Sequence, residues 1–188
     1  MHISADSSAP VLAALLVWGA GERLWETAAA IAVHEAGHLA ALFLCGAVPA
    51  ELHFGWSGLK IRCSRLLSYG REAFCLAAGP GAGLLLALAG LLWGRGFWRR
   101  AGEVSAALTA FNLLPGEDLD GGALVRCALA GRLSPEREAR LATLLTCAAA
   151  LGMLLLPAAL SLPERLLPAA LFGGATLLFS VAKSIRMV

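Results

Sequence analysis

Apolar positions along this chain gather in long blocks rather than in helical stripes or alternating runs. The blocks cover Pro10–Gly21, Trp25–Val48, Phe74–Trp93, Val104–Leu114, Leu141–Leu162 and Leu166–Ala182. A helix that crosses a bilayer needs about 20 predominantly apolar residues, and the second, third and fifth blocks are long enough. The first and fourth are short. Such runs span only where the bilayer thins or neighbouring helices shelter them, and the pattern leaves open whether the first spans or lies at the interface. The piece after the second block, "PAELHFGWSGLKIRCSRLLSYGRE", is different in kind. Gly55, Gly58 and the alternating "LKIRC" predict a β-hairpin, which at membrane depth needs protein around it or water beside it. "GRLSPERE" (Gly131–Glu138) is a polar connector, and Pro135 behind Ser134 marks a helix start. The pattern therefore predicts an all-α polytopic membrane protein of about six transmembrane or membrane-embedded helices. A small β-hairpin is expected between the second block and the next span, in a single domain over residues 1–188.

Composition supports the bilayer as solvent. The chain is 59% hydrophobic and 15% charged, against about 45–50% and roughly a quarter in soluble domains. A formal net charge of +2 with no Lys/Arg-rich run gives nucleic acid nothing to bind. The 5 cysteines are scattered without a CxxC pair, which argues against a disulfide framework or a thiolate metal site. "MHISADSSAP" lacks the basic start of a secretory signal, so the first block is expected to be retained. With the N-terminus inside, most of the 15 Lys and Arg residues fall in inner segments, as the positive-inside bias requires. The "GRGFWRRAGE" loop is the exception, placing Arg95, Arg99 and Arg100 outside.

The second block holds an anomaly, "AVHEAGH". Ionisable residues inside a membrane helix cost about 2.5–3.5 kcal/mol each, yet His34, Glu35 and His38 cluster there. Residues four apart share a helix face, so His34 and His38 can hold one cation together, with Glu35 beside them. Two neutral imidazoles suit Zn²⁺, and a carboxylate within reach can take a proton from an activated water. The plainer explanation, polar residues bonding between helices, leaves three such residues in one turn and a half unexplained. A catalytic zinc site normally has three protein ligands. The other histidines, His2 and His53, lie in the tail and the hairpin, so a carboxylate is the better third ligand. The obvious cluster is "FNLLPGEDLDGG", which offers Glu117, Asp118 and Asp120. Chemistry alone does not choose among them, although Asp120 has the most apolar setting and the tightest backbone.

With its downstream "NLLPGEDLDGG", the HEAGH helix resembles the site-2 protease family of intramembrane zinc metalloproteases. The second motif of that family, N-x-x-P-x-x-x-L-D-G, is filled by Asn112, Pro115, Leu119, Asp120 and Gly121. The resemblance implies one zinc per chain held by His34, His38 and Asp120, Glu35 as catalytic acid and base, and Asn112 on the substrate backbone or oxyanion. A third family element, A-G-P-x-x-N, is met by Ala78, Gly79 and Pro80, but Gly83 stands in place of Asn. The similarity runs from about Trp25 to Leu129, within a catalytic core of residues 25–130. It is nearest to the compact sporulation-type branch, with no PDZ domain in the connector and no CBS domain expected.

The resemblance implies a metalloendopeptidase in the cell membrane, a bacterial plasma membrane by its compact build. Membrane-protein substrates would be cut near the cytoplasmic face, with a membrane-tethered transcription factor as the family-level analogy. The implied partners are such a substrate, the lipid bilayer and a regulatory membrane partner. The hairpin could hold an unwound substrate by adding a strand. Phe54, Trp56 and Leu59 are its candidate contacts, although core packing is the simpler explanation for each. A serine-protease reading of "GWSG" fails, because Ser57 has no histidine after His53 to serve as base. Two other classes use the same residues: a metal transporter or sensor, and a catalytically inactive membrane scaffold. A transporter spreads polar residues along a path, whereas here they converge on one place.

Overall fold

The computed structural model describes residues 2–5, 21–47, 49–55, 58–63, 67–116, 119–159, 174–175, 177–178 and 181–182. The chain divides into two units, Met1–Ala110 and Phe111–Val188. The first apolar block falls almost wholly, and the sixth for the most part, outside the described residues, where Glu117 and Asp118 also lie.

In the first unit a turn of 3₁₀ helix at Gly21–Arg23 leads into α1, Leu24–Leu44. Helix α1 ends in a Schellman arrangement. Gly46, at φ +68°, lets its own N–H reach Phe43 O and the Ala47 N–H reach Leu42 O, each at 3.0 Å. Helix α2 covers Tyr69–Leu92 and carries Pro80 within it. It packs on α1 through small residues. A Cβ on Gly37 would overlap the Ala78 carbonyl, the close approach that membrane helices use in place of a hydrophobic drive. Ala41, Leu42, Ala47 and Cys75 form a buried cluster at one end of this contact. The sulfurs of Cys45 and Cys75 lie 3.8 Å apart as thiols, without a disulfide between them.

Helix α3, Phe97–Asn112, returns along α2. Here again backbone meets backbone: a Cβ on Gly90 would lie 2.8 Å from Gly102 Cα. Ser105 Oγ donates to Gly83 O at 2.8 Å. The polar "WRRAGE" lies inside this helix, so α3 begins before the apolar block at Val104. Its first turns are held by charge instead. Arg100 Nε binds Glu26 Oε1 of α1 at 2.7 Å, Arg23 reaches Glu103 at 3.3 Å, and Arg99 sits 3.6 Å from Glu103 one turn on.

The stretch with alternating polarity is a pair of strands. β2 (Pro49–Gly55) and β3 (Gly58–Cys63) run antiparallel, with Gly55 opposite Gly58. A strand not anticipated from the sequence, β1 (His2–Ala5), lies parallel to β2 and gives the order β1-β2-β3.

In the second unit α4 spans Asp120–Leu129 and α5 spans Pro135–Ala159. The chain before α4 folds back tightly. Leu119 N–H donates to Gly116 O at 3.0 Å, while side chains at Gly121 and Gly122 would strike the carbonyls of Leu113 and Gly116. Thr146 of α5 clasps this loop, donating to Pro115 O at 2.8 Å.

Among the described residues three helices are long and apolar enough to cross a membrane: Gly21–Leu44, Tyr69–Leu92 and Glu136–Leu155. Their outward side chains are those a bilayer would cover. Phe43 is 84% exposed and Leu85 70%. The chain is a membrane protein with a mostly helical fold; the expected total of six spans reaches into residues outside those described.

Candidate metal centre

The helical period of α1 brings His34 and His38 together as expected. Their rings meet edge to face with centroids 4.9 Å apart, and the two Nε2 atoms face each other at 3.2 Å. His34 is 4% exposed; Glu35 and His38 are half-buried. His38 Nδ1 lies 2.8 Å from the carbonyl of Cys75. A carbonyl only accepts, so Nδ1 carries the proton and Nε2 keeps its lone pair for a metal.

The spacing suits an ion. Two nitrogens bound tetrahedrally at about 2.0–2.1 Å stand about 3.3–3.4 Å apart, and the observed separation is 3.2 Å. Helix α2 supplies the rest of the cradle. Gly79 lies flat under the His38 ring, where a Cβ would overlap Nε2. Cys75 and Gly79, one turn apart, thus hold His38 from behind and below. The sequence showed Gly79 as part of a motif without its reason. Nothing in the sequence pointed to Cys75, because the group that matters is its backbone carbonyl.

The other predicted residues lie in the second unit. Asn112 is the last residue of α3, and Asp120 the first of α4, both half-buried. As donors, the imidazoles of His34 and His38 and the carboxylate of Asp120 make a set that could bind a metal ion.

The fold has a counterpart among solved structures. The site-2 protease from Methanocaldococcus jannaschii matches with a TM-score of 0.68 at 18% identity, over 100% of this chain and 93% of that one. This chain therefore has the fold of a site-2 protease. No protein-family model matches the chain, and no curated protein matches it.

Proposed function

We propose that the chain is a zinc-dependent intramembrane endopeptidase. It cuts membrane-protein substrates near the cytoplasmic face of a bacterial plasma membrane, and a membrane-tethered transcription factor is the substrate class that the resemblance favours. The observation that carries this reading is the pair of facing Nε2 atoms, 3.2 Å apart on an apolar helix, in a chain with the site-2 protease fold. His34, His38 and Asp120 are the zinc ligands in this reading. When bound, zinc supplies a Lewis acid for the scissile carbonyl and acidifies the attacking water. Glu35 takes the proton from that water and returns it to the leaving nitrogen. Asn112 binds the substrate backbone or the developing oxyanion. The substrate, locally unwound, adds as a strand at the β3 edge.

The test is zinc content and cleavage, read together on detergent-purified protein. Wild type is expected to hold about one zinc, Asp120→Ala and His38→Ala far less, and Glu35→Gln as much as wild type. Cleavage is followed on a panel of reconstituted single-span membrane proteins. Glu35→Gln should slow it by about 10²–10⁴-fold. Zinc absent from the wild type, or cleavage at the wild-type rate in Glu35→Gln, would overturn the proposal.

A further inference from the structure

One buried hydroxyl has no role in the site so far. Thr109 of α3 is 6% exposed, and its Oγ1 is buried with no hydrogen-bond partner. Leaving such a group unbonded costs about 1–3 kcal/mol, and a helical threonine usually avoids that by bonding back one turn. Ser105, one turn earlier, is satisfied at Gly83 O. Thr109 Oγ1 instead fills the space over Gly83, where any Cβ would collide with it.

Two packing registers say what lies opposite. Helices α1 and α2 are antiparallel: His38 meets Cys75 and Gly79, while Gly37 meets Ala78 and Ala82. One turn back along α1, His34 comes level with the turn from Gly79 to Gly83. Helices α1 and α3 run the same way, tied by Glu26 to Arg100. Eight residues on from that pair lie His34 on one helix and, one position further, Thr109 on the other. Both registers bring Thr109 to the level of His34.

We propose that Thr109 is the positioning residue for His34. This bond is not made in the structure described, where Oγ1 is without a partner. With a metal on Nε2, Oγ1 would accept the hydrogen bond from His34 Nδ1–H and so hold Nε2 toward the metal, the role the Cys75 carbonyl has for His38. Metal-bound histidines are generally held this way, and losing the outer partner typically weakens metal binding by about 10–100-fold. The inference rests on the metal-site reading above. It also accounts for Gly83, which stands where the resembled family has Asn: the polar group there comes from α3, and a side chain on α2 would displace it.

The experiment is competition for zinc against a chromophoric chelator in detergent, with thermal unfolding recorded alongside. Thr109→Val keeps the shape, removes the hydroxyl and should bind zinc about 10–100-fold more weakly; Thr109→Ser should restore binding. Gly83→Ala keeps the hydroxyl but moves it, and should weaken zinc in the same range. Combined with Thr109→Val it should add nothing further. Thr143→Val removes an exposed helical hydroxyl elsewhere and should change nothing. Wild-type affinity in Thr109→Val or in Gly83→Ala would overturn the positioning role while leaving the zinc site standing. Absence of zinc from the wild type would overturn both readings.

Discussion

Replacing Gly79 by alanine adds one methyl group at the most crowded point of the candidate site. The new Cβ would lie 2.6 Å from His38 Cδ2, with Nε2 and Cε1 nearer still. Ordinary carbon contacts are about 3.5–4.0 Å, so the ring must retreat by at least about 1 Å. The His38 Nδ1 to Cys75 O bond, 2.8 Å long, would then exceed the range of a hydrogen bond. The imidazole loses its orienting partner and its place together, and zinc affinity should fall about 10–100-fold. Overpacking should cost about 1–3 kcal/mol, against about 0.5–1 kcal/mol recovered by removing a glycine from a helix. Stability should therefore fall less than metal binding does. Gly81→Ala is the control on the same helix: its Cβ meets nothing within 4 Å, and zinc affinity should stay as in wild type. The assay is chelator competition on both variants, with the melting temperature of each. Unchanged zinc affinity in Gly79→Ala would refute the reasoning, since it would mean that the ring can move without cost to the ligand set.

Glu35→Gln should keep full zinc while lowering the cleavage rate by about 10²–10⁴-fold, the usual contribution of a general base; zinc analysis and product formation on one preparation check it. Thr146→Val removes the bond to Pro115 O and should cost about 0.5–1.5 kcal/mol, read from thermal unfolding. Gly122→Ala forces apart the turn that sets the start of α4, so it should lower both zinc content and melting temperature. Glu26→Gln weakens the tie between α1 and α3, and its melting temperature should fall below that of wild type in low salt.

The parts of the fold that the sequence made legible are those governed by solvent. Lipid demands long apolar helices with their backbone groups satisfied internally, and α1, α2 and α5 could be read from block length. The histidine pair was legible because helical period and ligand chemistry act within one turn. Strand β1 was not, since the alternation of "HISA" runs over only 4 residues and they form a strand beside β2. The start of α3 was missed because its first turns satisfy themselves through charge, outside any apolar period. The supports of the site were the least legible. A backbone carbonyl at Cys75 leaves no trace in residue type, and Gly79 and Gly83 reveal their purpose only through the side chains that stand over them.

Those early charges of α3 have a structural use of their own, apart from the basic-residue bias. Arg99 and Arg100 sit in the loop assigned to the outer face, yet neither is a bare cation there. Arg100 binds a Glu26 that is only 3% exposed, and Arg99 shares Glu103 with Arg23. Pairs so exposed on the arginine side contribute little stability each. Their effect is on register: they tie the first turns of α1 to the first turns of α3. In the proposed reading, that register is the one that brings Thr109 to the level of His34 two turns further on. The contacts that pair charge at the helix ends thus also favour one alignment of α1 and α3, the helices that carry His34 and Thr109.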